Sequence, residues 1–559
     1  MKNPLTVSCL CVTALLGACG DDQGAASVDE GSTTASTGGP GDEVGDEASD
    51  ASSTGAAEST GDEPTTGEPV GFTPIPARGD VRIVRVEANP GVAVPIGLLG
   101  QEVGGKDRNA HLPRERDTMV RVYVDVPDGW VPRELEARLV LSGGGVDATH
   151  TQRVTITEDS DDAVLDSGFY FGIPAEQMQP GLRYQVSLWE TAPGQEDLPA
   201  PAEAAVAPLT GTAIVGVESE RAVMRIVVVP IDYSFGACAK VVDGESHRKA
   251  LEDAMFQENP LQELELEFHA PYKVTYDMTS MSGLSQLVDE MSQLRTEDAA
   301  DPSVYYFGLF DNCSQCIAIG GLQKGCTVGL AADITGPDVD DARFRASAGQ
   351  LNAGFTDTFV HEVGHTQGRQ HIDCAGAGVP AQGTDPSYPH DDGRIGVWGF
   401  GVRDFKLRHP TVNSDYMSYC DRAWVSDWQW NATFKRITTL SAWDMADAAP
   451  PASGGVLIGA VDPDGEQRWW TGPGALSPGR ELSATHKVVF EFADGEVEAV
   501  AQVSVRSHYA TRNIVAPLPV GFDGRELLGV RLRDDAGEHP VAAASIRRLH
   551  GPMDLKAAQ

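Results

Sequence analysis

Between residue 80 and about residue 212, apolar and polar side chains alternate in short runs at 81–86, 120–126, 135–141, 152–156 and 184–188, separated by Gly and Pro clusters. A period of two bounded by turn residues, with no helical period, predicts half-buried strands, and several of them at this spacing predict a β-sandwich. The same pattern returns at 455–461, 488–492, 497–505 and 528–532 and predicts a second one. Between them the pattern is mixed: continuous apolar runs at 224–230, 304–310 and 327–332 read as buried strands, as does part of 264–276. Helical spacing appears at 247–255, at 283–294 and through residue 361. The expected fold class is therefore α+β, a mixed domain at 220–447 flanked by β-sandwiches at 73–215 and 452–555. A chain of 559 residues is too long for one core and divides naturally in this way.

The first 72 residues have a different character. Lys2 precedes an apolar stretch too short to span a bilayer, and Leu16-Gly17-Ala18-Cys19 resembles a bacterial lipobox, so 1–19 reads as a lipoprotein signal peptide that leaves Cys19 lipidated. Residues 20–72 are Gly, Ser, Thr, Ala, Asp and Glu without Lys or Arg, which predicts a disordered acidic linker. Attachment to a membrane then rests on the N-terminal lipid alone. With 42 basic and 82 acidic side chains the formal charge is −40, which disfavours nucleic acid as a partner.

The chemistry is concentrated in one run, His361-Glu362-Val363-Gly364-His365-Thr366-Gln367-Gly368-Arg369-Gln370-His371. On a helix His361 and His365 are i and i+4, with Cβ atoms about 5–6 Å apart, so both imidazoles can reach one metal ion. Gly368 can leave the helix in the left-handed conformation and return His371 as third ligand. Three protein ligands predict one catalytic Zn2+ whose fourth position holds water, with Glu362 placed to take the water's proton.

This run resembles the H-E-x-x-H-x-x-G-x-x-H signature of the metzincin clan of zinc endopeptidases, which also has a downstream methionine turn. Ser414-Asp415-Tyr416-Met417-Ser418-Tyr419-Cys420 looks like that turn, with Met417 as the apolar floor beneath the histidines. The resemblance implies a metzincin-like catalytic domain made of a twisted mixed sheet, an active-site helix and the Met-turn. It also implies that Tyr419, two residues after the methionine, ligates zinc at rest and swings out to hydrogen-bond the oxyanion. Ile372, after the third histidine, matches none of the familiar metzincin families and leaves the subfamily open. Val397-Trp398-Gly399-Phe400 and Trp424-Val425-Ser426-Asp427 are similar to secreted bacterial metzincins that include mucin-cleaving peptidases.

Six cysteines remain beyond the leader, an even number that fits an oxidising compartment and allows fifteen pairings. Cys374 lies three residues past His371 and Cys420 three past Met417; both segments converge under one zinc, so these two are expected to pair. Cys238 with Cys313 and Cys316 with Cys326 are the favoured remaining pairs. The expectation is a monomeric zinc endopeptidase, lipid-anchored at a bacterial outer membrane or cell surface, that cleaves protein or glycoprotein substrates. The alternative is an envelope adhesin or glycan-binding lipoprotein with a vestigial metal site. The composition leaves room for a structural Ca2+ that no motif specifies.

Overall fold

In the computed structural model, which describes residues 72–200, 205–318, 326–377, 381–445 and 454–549, alternation decides which face of each N-terminal strand is buried. Along Arg183–Glu190, Tyr184, Val186, Leu188 and Glu190 are buried and the residues between them are half-exposed. The hairpin of Arg133–Gly143 and Val146–Ile156 turns at Gly144 and Gly145. Their φ values of 60° and 82° are the left-handed values that a two-residue hairpin turn needs. Two antiparallel sheets result, one centred on Arg82–Asn89 and Thr118–Asp125, the other on Arg133–Gly143 and Arg183–Glu190. They face each other across a shared core that includes Val86, Val122, Phe171, Leu139 and Val186.

The central sheet is built on Val223–Phe235, which pairs in parallel with Val304–Phe310. Ala346–Gln350 continues the sheet in parallel, and Gly329–Ala331 ends it as an antiparallel outer strand. Helices cover both faces: α1 (Arg248–Glu258), α2 (Met281–Glu297) and α3 (Phe355–Thr366), with α4 (Asp427–Met445) following. Successive side chains of one strand serve opposite faces. Tyr305, Phe307 and Leu309 pack with Phe359 and Val363 of α3 and Met255 of α1, whereas Tyr306 and Phe310 pack with Leu284, Val288 and Met291 of α2. Burial on both faces is why such strands read as continuous apolar runs.

The last eight strands form one sheet, in the spatial order Gly537–Ala542, Leu527–Asp534, Leu482–Phe492, Gly495–Val505, Arg512–Pro517, Gly455–Val461, Gln467–Pro473 and Ile546–Arg548. Each of the eight sends at least one residue into a single interior, among them Leu457, Trp469, Phe490, Ala501, Ile514, Leu532, Val541 and Ile546. Residues in alternate register, Val456, Ile458 and Ala460, face outward onto α2.

The expected α+β architecture is thereby corrected. The described residues are mostly β, 41% strand against 19% helix, distributed over several sheets, and no single metzincin-like α+β domain stands apart. The C-terminal strands are not a sandwich but one nearly closed, barrel-like sheet. The physical reason is continuity of packing. One hydrophobic core runs from the N-terminal sheets to α3 and α4, a second joins α2 to the C-terminal sheet, and the described residues hold together as one unit. Among the described residues no helix is long and apolar enough to cross a membrane. The expected signal peptide, the lipidated Cys19 and nearly all of the linker lie outside the described residues.

Buried ions fasten the C-terminal sheet to the centre. The Arg506 guanidinium donates to Ala332 O (3.1 Å), Ser285 Oγ (2.8 Å), Asn513 Oδ1 (3.0 Å) and the Asp289 carboxylate. Arg468 donates to Asp289 (2.6 Å) and Asp462 (2.7 Å), and Arg480 to Asp333 (2.7 Å) and Asp341 (2.8 Å). Removing one partner of a buried pair leaves an uncompensated charge and costs about 3–5 kcal/mol. Asp289→Ala, which strips Arg506 of its carboxylate, should lower the stability read by urea denaturation by that amount.

Candidate metal centre

Helix α3 carries the first two histidines, and its surroundings are shaped by glycines. A Cβ on Gly329 of the outer strand would lie 2.6 Å from Glu362 Oε1, so a glycine there is what lets Glu362 lie against the strand. On the opposite side a Cβ on Gly364 would lie 2.6 Å from Met417 Sδ. The fully buried Met417 therefore sits directly beneath the helix. The helix ends with Gly368 at φ 87°, where Gly368 N–H donates to His365 O (2.8 Å) and Arg369 N–H to Gly364 O (3.0 Å). That paired closure is a Schellman end, and it turns the chain back toward His371.

Each of these imidazoles is oriented through Nδ1. His361 Nδ1 donates to Tyr416 O (2.8 Å), His365 Nδ1 to Arg369 O (2.7 Å) and His371 Nδ1 to Gln382 O (2.5 Å). A carbonyl can only accept, so Nδ1 carries the proton and each Nε2 presents a lone pair. Those lone pairs converge, and a fourth joins them. His508, from the hairpin loop 506–511 of the C-terminal sheet, places its Nε2 3.1 Å from that of His365 and 3.2 Å from that of His371. His365 and His371 Nε2 are themselves 3.1 Å apart, and the ligand atoms of all four histidines lie within 4.8 Å of one another.

The donor set fits a zinc ion. Four nitrogens around zinc at about 2.0–2.1 Å are about 3.3–3.4 Å from each other; the separations among His365, His371 and His508 are close to that, and those to His361 lie within 4.8 Å. His361 Nε2 and Glu362 Oε2 are buried without a hydrogen-bond partner, as expected of atoms that face a cation. Burial and the neighbouring imidazoles press the His361 pKa down to about 3 and those of His365 and His508 well below the ordinary histidine value, and burial lowers that of His371 too. These shifts favour neutral rings at neutral pH, the form in which an imidazole can bind a metal. Burial also lifts the Glu362 carboxyl well above the carboxylate range in the metal-free protein, and a nearby dication would draw it back.

Tyr419 reaches the centre as well: its hydroxyl is 3.1 Å from His371 Nε2 and 3.0 Å from His508 Nδ1. Burial, with the Glu362 charge beside it, raises its pKa and keeps the phenol protonated. Cys374 and Cys420 form a disulfide with Cα atoms 6.2 Å apart, tying the segment after His371 to the turn after Met417. Cys238 pairs with Cys313 and Cys316 with Cys326. All three bonds match the expected pairing and indicate an oxidising, extracytoplasmic compartment. The histidines open onto a cleft of about 410 Å³ lined by Thr327, Gly329, Glu362, Tyr419 and His508.

The structure thus brings together His361, Glu362, His365 and His371, which local spacing had singled out, with Met417 and Tyr419, which the family resemblance had implied. It adds His508, which sequence reasoning passed over. Its ring stands beside the cluster on the side where the expectation had placed a water. No family model matches the chain, and no curated protein matches it. A search of solved structures finds a chain from a structure of a chaperone-substrate complex at 13% identity and a TM-score of 0.20. That match covers 49% of this chain and 40% of the other. The folded protein should bind one zinc per chain, and His365→Ala should abolish that binding, as read by elemental analysis after dialysis.

Proposed function

We propose that the protein is a zinc-dependent endopeptidase acting on proteins or glycoproteins outside the cytoplasm. The observation that carries the reading is the position of Glu362, wedged between the outer strand and three converging histidine lone pairs, in the wall of an open cleft. A zinc ion held by His361, His365 and His371 would supply Lewis acidity and a water with a pKa near 7. Glu362 takes the proton of the attacking water and returns it to the leaving amine. An extended substrate would hydrogen-bond along Thr327–Gly329, where the chain leading into the outer strand lines the cleft, by strand addition. Tyr419 donates its phenolic proton in a hydrogen bond to the oxyanion that develops on the scissile carbonyl. The H-E-x-x-H-x-x-G-x-x-H run and its methionine turn support the same chemistry. Lipidation at Cys19 would hold the enzyme at a bacterial envelope.

A second reading has one observation in its favour. His508 supplies a fourth nitrogen, as a closed metal site would have, and such a site in an adhesin or glycan-binding lipoprotein would not turn over. Glu362 distinguishes the two, since a closed structural site has no use for a buried carboxylate facing the metal.

Casein and mucin digestion tests the proposal, run with His508 intact and with His508→Ala. Hydrolysis should be sensitive to chelator and restored by zinc. Glu362→Gln should abolish it while zinc content stays at the wild-type level. If neither background hydrolyses either substrate, or if Glu362→Gln keeps near wild-type turnover, the peptidase reading is wrong. Tyr419→Phe should lower kcat by about 10²–10³ with KM and zinc content little changed, the loss expected for one oxyanion donor. A kcat within about threefold of wild type, less than 1 kcal/mol of barrier, would make Tyr419 a packing residue.

A further inference from the structure

We propose that His508 is a fourth metal ligand delivered by the C-terminal sheet, and that it keeps the centre closed until the tip of its loop withdraws. Ligation itself rests on the geometry of the four rings; the regulatory consequence rests on the peptidase reading above.

The His508 ring obstructs three functions at once. Its Nε2 stands 3.1 and 3.2 Å from the Nε2 atoms of His365 and His371. A metal ion held by His361, His365 and His371 would have this ring at its remaining position, in place of water. The same Nε2 is 3.5 Å from Glu362 Oε1, where the proton of an attacking water would have to pass. Its Nδ1, 3.0 Å from the Tyr419 hydroxyl, engages the phenol that would otherwise serve an oxyanion. Metal corner, base and oxyanion donor are thus all released by one movement.

The loop is built for a movement of its tip. Arg506 anchors one end through Ala332 O, Ser285, Asn513 and Asp289, and Thr511 Oγ1 anchors the other by donating to Asp462 (2.7 Å). Arg506 N–H donates to Thr511 O (3.0 Å) and closes the loop between the anchors. Residues 507–510 project beyond them, with Ala510 exposed and Tyr509 resting on the core shared with α2, its hydroxyl donating to Asp464 (3.4 Å). Withdrawal of His508 would rotate this tip and release the Tyr509 contacts, with the ionic interface around Asp289 intact. The covering group belongs to the same chain and lies C-terminal to the site. Closure is therefore present from the moment of folding and needs no second protein.

The test uses the full chain loaded with Co2+ in place of zinc. Wild-type protein should show the intense visible bands of a four-coordinate site. His508→Ala should show shifted and weaker bands, as a water replaces the imidazole and admits a fifth ligand, and a metal affinity lower by at least about tenfold. Its zinc form should hydrolyse casein at least about tenfold faster than wild type. His508→Cys guards against a folding defect. It should restore a fourth protein ligand, add a thiolate-to-cobalt charge-transfer band and hold hydrolysis at the wild-type level. Identical cobalt spectra in wild type and His508→Ala would overturn the proposal, and chelator-sensitive hydrolysis would then leave the peptidase reading standing. A slower His508→Ala enzyme with an unchanged spectrum would also overturn it, by making His508 a group that acts on substrate. If the spectrum changes as expected but neither protein hydrolyses anything, the ligation is upheld and the peptidase reading fails.

Discussion

Three imidazole Nε2 atoms 3.1–3.2 Å apart, with a fourth ring beside them, make a donor cluster that a cation would satisfy, and the elements around residue 361 converge on it. Carbonyl oxygens fix the ring orientation of His361, His365 and His371, and a phenol that of His508. None of these partners is on the same element as all the rings it must agree with. The helix α3 supplies two of the histidines, the turn after Gly368 a third, and a hairpin loop of a different sheet the fourth. Convergence at this precision is the result of several elements held rigidly, as an active or metal site requires.

Close packing supplies the rigidity. Gly329, Gly349 and Gly364 let the outer strands and the Met-turn approach α3 to distances that a methyl group would prevent. The Cys374–Cys420 bond prevents the His371 segment from drifting off the Met417 turn, and closing a loop of 46 residues is worth a few kcal/mol, about 2–4. On the other flank the Arg468, Arg480 and Arg506 ion pairs orient the C-terminal sheet. Apolar packing of Val456 and Ile458 on α2 supplies contact area but little registration, whereas bidentate and multi-acceptor guanidinium bonds tolerate little sliding. The C-terminal sheet can therefore aim a single side chain at a point on the far side of the central sheet's edge.

What was legible in the chain follows from this division. The His361 to His371 run could be read because its geometry is local: helical spacing places two rings, and one glycine places the third. The Met417 turn was legible only through the family resemblance, and the Cys374–Cys420 bond followed from the positions of the two cysteines relative to His371 and Met417. His508 gave no such signal, since it is a lone histidine in a hairpin loop, 143 residues after His365 in sequence. The rolled C-terminal sheet escaped for a related reason. Period-two alternation at 455–461 or 528–532 reports that one face is buried, and it is silent on whether that face meets a second sheet or the remainder of its own. Long-range closure also set the fold class. The central helices and strands were read nearly where they lie, but the shared cores that merge them with the flanking sheets depend on contacts no local pattern carries.

Glu362 ties the centre's charge to its state. One of its oxygens is buried and unpartnered, and burial alone favours the protonated, inert form. A dication held by the histidines would reverse that preference, so in the proposed peptidase the base would become competent only with the metal bound. With His508 in place the carboxylate faces an imidazole 3.5 Å away; with His508 withdrawn it would face the cleft. Under the proposal, metal occupancy would prepare the base, and the position of a single ring on the C-terminal sheet would decide whether that base has a water to deprotonate.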